Sequence, residues 1–231
     1  MISEFFNQFL YRPLLNILIV LCLFLPGQDF GLAVIIITVA FKTFLLPLNK
    51  KMEKNRKDLI KIQPEIKKIQ KEFKDDEAKQ IEKLKALYGE YKINPLNSFV
   101  PLLIQFPLLI ALYQVFLKGL NQSDLYGFIP YPGSINYSFL GIDLTSSSLV
   151  LAVLAGIIYF VQLKISLNQT KKTKSKKNDI SAKFQKQMPY FFSFLTFFVL
   201  VRIPAAVSLY LAISSLFTMT QQYILSKNES K

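Results

Sequence analysis

Lys42 asks more of its surroundings than any other residue in this 231-residue chain. It lies in FGLAVIIITVAFKTFLLPLNKKM (residues 30–52), a run apolar enough to cross a bilayer. A charge near the bilayer centre costs roughly 2.5–3.5 kcal/mol on insertion scales. Lys50, eight residues on, marks the water interface. Those eight residues are about 12 Å of helix, against a hydrocarbon half-thickness of about 15 Å. Lys42 therefore falls just to one side of the midplane, too deep for its side chain alone to reach bulk water. The apolar runs contain no Asp or Glu to pair with it. They do contain Gln105, Gln114, Ser98, Ser193, Thr196, Ser208, Ser214, Ser215, Thr218, Thr220 and Gln221. Such groups solvate an ammonium without cancelling its charge. Two arrangements fit. One is a water-filled cavity walled by polar helix faces, the usual mark of a functional site in a membrane. The other is a structural lysine, partly snorkelled, deprotonated or hydrogen-bonded between helices. A wet, positive cavity would attract acidic residues of a polar segment on its way across and would shorten the apolar path.

Other chemistry is missing. There is no histidine, the usual metal ligand and near-neutral acid–base group, and one cysteine, Cys22, so no intrachain disulfide. No glycine-rich phosphate loop and no carboxylate cluster appears in an apolar run. The sequence reads as a non-enzyme with no catalytic residue, no cofactor, no metal and no DNA partner.

The elements that must position Lys42 are membrane helices. The chain is 52% hydrophobic with a mean hydropathy of +0.32, and the apolar residues cluster in long runs. About 20 such residues span a bilayer. The expectation is an all-α polytopic membrane protein with spans at 28–50, 98–118, 146–164, 187–203 and 204–225, the last two a close hairpin turning at Pro204. Residues 1–27 have an apolar run of only about 13 residues, mixed upstream with Asn7, Gln8 and Arg12. They read as an interfacial helix, with a sixth span or a signal peptide as alternatives. Residues 49–97 carry fourteen basic and nine acidic residues, and 164–186 carry eight lysines and one aspartate. Residues 119–145 have no basic residue. Basic loops stay in the cytoplasm. This puts the N-terminus outside, 51–97 and 165–186 inside, 119–145 outside, and the tail 226–231 inside. In 51–97, Leu59, Ile62, Ile66, Ile69 and Phe73, then Ile81, Leu84, Tyr88 and Tyr91, repeat at spacings of 3 and 4. That is a heptad stripe on two arms, a cytoplasmic coiled-coil hairpin. Pro64 should kink its first arm, and Asp75, Asp76 and Glu77 should start its second. The lysines of 165–186 suit anionic lipid or ribosomal RNA, or are simply topology anchors.

Two other functions compete on these features. A small-solute or ion carrier could use Lys42 as its charge site, though no internal repeat accompanies it. A membrane anchor for ribosomes could use the basic loops, but leaves Lys42 unexplained.

The motifs in order resemble the bacterial YidC insertases of the YidC/Oxa1/Alb3 family over about residues 11–225. An apolar run, a basic residue and LP occur as FGLAVIIITVAFKTFLLPL, and QP as Gln63-Pro64. NPL followed by P-x-LIQ-x-P occurs as NPLNSFVPLLIQFPLLIALY, with Asn94, Pro95, Leu96, Pro101, Gln105 and Pro107 matching. FLGIDL resembles FLxxDL, and MPYFFSFLTFF then PAAVSLYLAISSLFTMTQQYIL resembles P-A-x-x-x-LY with a later QQ. The resemblance implies a membrane insertase with a hydrophilic groove open to cytoplasm and lipid and closed outside. It implies nascent membrane proteins as clients, the ribosome as partner through the basic loops, a Sec translocon and anionic lipids as further partners, and a bacterial cell membrane location. It puts Lys42 where the family usually has an arginine, with Gln105 and Tyr210 lining the groove; the other readings are a helix–helix hydrogen-bond partner for Gln105 and plain packing for Tyr210.

Overall fold

The computed structural model describes residues 2–94, 100–118, 121–168 and 180–228. The bend after Asn94, the lysines of 169–179 and the last three residues lie outside the described residues. The chain is mostly helical, with several apolar helices, as an all-α membrane protein is.

Helix α1 (Ile2–Phe6), a π-helical turn (Asn7–Tyr11) and α2 (Arg12–Phe24) form one continuous rod. The expected 13-residue apolar run is thus the second half of a longer helix, and Glu4–Phe24 reaches a membrane-crossing length by length and composition. One face, Tyr11, Leu14, Leu15, Leu18, Ile19 and Cys22, is buried. The rod ends at Leu25 in extended backbone, and Gly27 and Gln28 follow at φ +69° and +51°. Asp29 then caps α3 (Phe30–Phe44), its Oδ1 accepting from the Leu32 N–H at 3.0 Å.

The first expected span, 28–50, is broken at Leu45, five residues before its expected end. There α3 meets α4 (Leu46–Lys61) at 55°. Pro47 is the cause: it lacks the N–H that would bond to Thr43 four residues back, and its ring clashes with that carbonyl. The Thr43 hydroxyl, bonded back to the Val39 carbonyl at 2.7 Å, adds to the bend. Pro64 acts the same way, and α5 (Gln63–Glu72) begins afresh after Ile62. Asp76 caps α6 (Glu77–Glu90), accepting from the Lys79 N–H at 3.0 Å.

The stripe joining these arms differs from the expected one. Ile62, Leu87 and Ile93 are buried, with Leu59, Ile66, Ile69 and Tyr88 against them. Ile81 and Tyr91 are exposed. The reason is the end of α6. Lys92 is left-handed (φ +52°), and the Ile93 N–H bonds to the Tyr88 carbonyl at 2.9 Å and the Lys92 N–H to Gly89 at 3.1 Å. This is a Schellman end, which folds the residue after the left-handed one back onto the helix. Ile93 takes the inward place and Tyr91 turns out to bond Glu65 at 3.0 Å.

Helix α7 (Val100–Lys118) contains Pro107. Helices α8 (Leu149–Asn168), α9 (Ile180–Leu200) and α10 (Ala205–Asn228) follow, each reaching past the apolar run that marks it. Helix α10 packs on α3 along one side and on α8 along the other, and α8 carries α9. The contacts use small residues: Ala152, Ala155, Ala205, Ala206 and Ala212 are buried. Among the described helices α10 is long but less apolar than α8, because Ser, Thr and Gln recur along it.

The segment between α7 and α8 forms a cap. Strands β1 (Ser138–Phe139) and β2 (Ile142–Asp143) pair antiparallel across Leu140 and Gly141, both at positive φ as a tight hairpin turn requires. The Phe139 ring lies against Gly31, where a Cβ would collide with it. The cap supplies acceptors to the first N–H groups of two helices: Asn136 to Phe30 at 3.0 Å, Ser146 to Ala205 at 2.8 Å and Leu144 to Ala206 at 3.1 Å.

Candidate functional site

Lys42 stands in the last turn of α3, half-buried, and α3 packs against α10. Its Nζ donates to Gln105 Oε1 of α7 at 3.4 Å. The Gln105 amide in turn donates to the hydroxyl of Tyr210 on α10, and Ser214, one turn further along α10, faces the same hydroxyl. The structure thus brings together all three residues singled out in the sequence, as one chain linking three helices. None of the helices α3, α7, α8, α9 or α10 contains an Asp or Glu, so the ammonium meets only neutral partners here. Tyr210 is almost wholly buried and fixes Gln105. Its hydroxyl occupies the amide end, so the carbonyl end faces Lys42.

The polar line continues toward the far end of the bundle. Thr38, one turn before Lys42, is buried with its hydroxyl bonded to the Val34 carbonyl at 2.5 Å. Asn49, seven residues after Lys42 and past the bend, donates to Gln221 Oε1 at 3.3 Å. Gln222, facing the other way, donates to Ser166 on α8 at 2.7 Å. Buried polar atoms without a partner among the described residues include Gln222 Oε1, Ser208 Oγ and Ser193 Oγ. Sequence reasoning missed Asn49, Ser166 and Gln222. Asn49 is two turns from Lys42 and shares its face, a spacing that could have flagged it.

Two other features are not part of this site. A cavity of about 280 Å³ under α2 is lined mainly by Leu15, Ile19, Phe30, Val115, Phe116 and Tyr137. Phe30 is twelve residues from Lys42, about 18 Å of helix. Among the described residues no group of His, Cys, Asp and Glu could hold a metal ion.

Several apolar helices, three of them joined by the Lys42–Gln105–Tyr210 chain, are those of an all-α membrane protein. Residues 23–231 match the family model described as "60Kd inner membrane protein". The chain is similar to a protein of Clostridium tetani named membrane protein insertase YidC, 36% identical over 210 residues, 89% of this chain and 86% of the relative. A relative of the same name from Fusobacterium nucleatum is 34% identical over 86% of this chain and 87% of its own. One from Oceanobacillus iheyensis is 29% identical over 87% and 76%. The chain belongs to this YidC/Oxa1 family of inner membrane proteins, whose place is the bacterial plasma membrane.

Proposed function

We propose that the chain is a membrane protein insertase and that the Lys42 cleft receives the polar part of a nascent client. The observation that carries this reading is the Lys42–Gln105–Tyr210 chain across three helices that hold no carboxylate. An ammonium has three donors, and Gln105 takes one at a long 3.4 Å. The others are left for a client. At 4 Å and an effective dielectric of 20, a client carboxylate gains about 4 kcal/mol from the charge. That is close to the roughly 2.5–3.5 kcal/mol an isolated charge costs near the bilayer centre. Attraction of that size holds a segment briefly and lets it leave.

The cleft opens to the cytoplasm and to lipid in this reading. Five spans, α3, α7, α8, α9 and α10, place the N-terminus outside and the C-terminus in the cytoplasm. The basic segments 49–97 and 164–186 face the cytoplasm, and the uncharged-to-acidic cap faces out, as the positive-inside rule requires. Residues 1–27 lie along the outer interface. The ribosome docks through the basic segments, anionic lipid surrounds the lysines of 164–186, and a Sec translocon is a further partner. The chain transfers and folds clients without covalent chemistry or a cofactor.

The test is insertion of a single-span client with an acidic N-terminal tail into liposomes holding wild type, Lys42→Ala or Lys42→Arg. Insertion by wild type and Lys42→Arg, with loss in Lys42→Ala, is expected. Equal insertion by Lys42→Ala would remove the charge from the mechanism. No insertion by wild type above empty liposomes would remove the function itself.

A further inference from the structure

The positive charge between α3 and α7 is unevenly placed. Helix α4 carries six basic and two acidic residues, whereas residues 63–90, holding α5 and α6, carry seven of each. The arm that leaves the membrane is cationic, and the distal part of the hairpin is neutral.

Within α4 the lysines are also ordered. At 3.6 residues per turn, Lys50, Lys54, Lys57 and Lys61 fall within about 60° of arc, with Lys51 to one side. The opposite face is occupied. Asn49 bonds to Gln221 at 3.3 Å, Asn55 donates to the Asn94 carbonyl at 2.8 Å, and Leu59 packs with Ile62 in the hairpin core. The stripe therefore faces away from the hairpin core: Lys50, Lys51, Lys54 and Lys61 are exposed and Lys57 is half-buried, with Lys61 also paired to Asp58 at 2.9 Å.

The bend sets the height of the stripe. With α3 along the bilayer normal and α4 inclined at 55°, each residue of α4 rises only about 0.9 Å. Lys54, nine residues past Leu45, stands about 8 Å above the bend, near the Debye length of about 8 Å at physiological salt. Juxtamembrane lysines at such heights feel the negative potential of an anionic leaflet, and that potential fades within this distance. An RNA partner comes from the aqueous side, where the distal part of the hairpin is neutral, so a docking ribosome finds its excess positive charge in 164–186 rather than at the hairpin tip.

We propose that the lysine stripe of α4 binds the headgroups of anionic glycerophospholipids in the cytoplasmic leaflet and so fixes the inclination of the hairpin. This rests on the orientation proposed above, but not on insertion activity. The experiment reconstitutes the full chain in vesicles of phosphatidylcholine and in vesicles with one part phosphatidylglycerol to two of phosphatidylcholine. Spin-labelled lipids report the preference of the protein's motionally restricted shell for phosphatidylglycerol. Replacing Lys50, Lys51, Lys54 and Lys57 with Gln should lower that preference at least about twofold. Replacing Lys67, Lys68, Lys71 and Lys74 with Gln removes the same charge from α5 and the turn after it and should leave it within error. The four α4 lysines changed to Arg should retain it, which separates lost charge from lost folding. Equal effects of the two Gln sets, or none from either, overturn the proposal. So does loss of ribosome co-sedimentation in the α4 Gln variant with lipid preference unchanged, which would make the stripe an RNA surface. The orientation is checked apart from this with Ala86→Cys, exposed on α6. A membrane-impermeant maleimide should label it in inside-out vesicles only, and labelling from the other side overturns the leaflet assignment.

Discussion

Two polar clusters interrupt the apolar packing, and they are built on opposite terms. At α2, Asn16 uses every atom of its amide. Its Nδ2 donates to the Arg12 carbonyl at 2.7 Å and the Asp124 carbonyl at 3.0 Å, and its Oδ1 accepts from the Tyr126 N–H at 2.8 Å. Arg12 donates to the Ser123 carbonyl at 2.7 Å, and the Tyr11 hydroxyl to Asp124 at 3.2 Å. Around Lys42 the bonds to Gln105 and from Asn49 to Gln221 are long, 3.4 and 3.3 Å, and elsewhere along α10 Gln222 Oε1 and Ser208 Oγ lack partners among the described residues. A satisfied network fixes a geometry. One with spare donors and acceptors leaves capacity for something that comes and goes. On the proposed reading, unused polarity rather than polarity itself marks the client site.

The contrast breaks most readily at Asn16. Asn16→Leu strands the Tyr126 N–H, at about 1–3 kcal/mol, and leaves the Asp124 carbonyl only the 3.4 Å bond from Arg12 Nε. The expected loss is about 3 kcal/mol, read as a lower thermal unfolding midpoint in detergent. A midpoint unchanged from wild type would show that the cluster is not a lock. Gly31→Ala tests the same end by packing. The new methyl meets the Phe139 ring, and overpacking of this kind costs about 1–3 kcal/mol. Phe139→Ala should relieve it in the double variant.

Lys42 should behave in the opposite way. Lys42→Met removes a costly charge that is held by one long bond, so the unfolding midpoint should hold or rise. Insertion of an acid-tailed client should fall at least about tenfold, the effect of losing about 1.4 kcal/mol of the roughly 4 kcal/mol attraction once desolvation of the carboxylate is set against it, and a neutral-tailed client should be nearly unaffected. Tyr210→Phe should produce part of the same loss, because Gln105 then has no fixed orientation. A destabilised Lys42→Met with normal insertion would merge the two clusters into one kind.

Lys42 stood out in the sequence for a physical reason: a charge in an apolar run has few solutions. Gln105 and Tyr210 came in as groove-lining residues with the family resemblance, and the hydrogen-bond chain joins them to Lys42. The cap of α6 was equally plain, because Asp76 and Glu77 have one obvious use before a helix. What stayed hidden depends on three-dimensional joins. The break at Leu45 moved the end of the first apolar helix because Pro47 outweighed hydropathy. The inward stripe of α6 moved from Ile81 and Tyr91 to Leu87 and Ile93 because Lys92 adopts a left-handed turn. The Asn16 network could not be read at all, since its partners lie more than a hundred residues away on backbone atoms of Asp124 and Tyr126.

The smallest expected effect also separates the two ends. Asp143 Oδ1 accepts from the Thr145 hydroxyl at 2.7 Å and the Thr145 N–H at 2.9 Å. These bonds to Thr145, the hydroxyl's first, hold its carboxyl below the usual carboxylate range. A carboxylate whose folded pKa is lowered stabilises the fold above its unfolded value of about 3.9 and loses that contribution as pH falls through the lower folded value. Asp143 is exposed, so water screens the gain and the shift in midpoint should be small. The helices around Lys42 hold no carboxylate at all. Acid below about pH 4 should therefore weaken the turn into α8 and leave the charge of Lys42 untouched. Asp143→Asn should remove that acid-dependent part of the midpoint while keeping wild-type stability to within about 0.5 kcal/mol at neutral pH. Carboxyl NMR gives the direct reading. Titration of Asp143 at the ordinary value would mean that the Thr145 turn is open in solution, and the cap would then belong with the loosely held cluster.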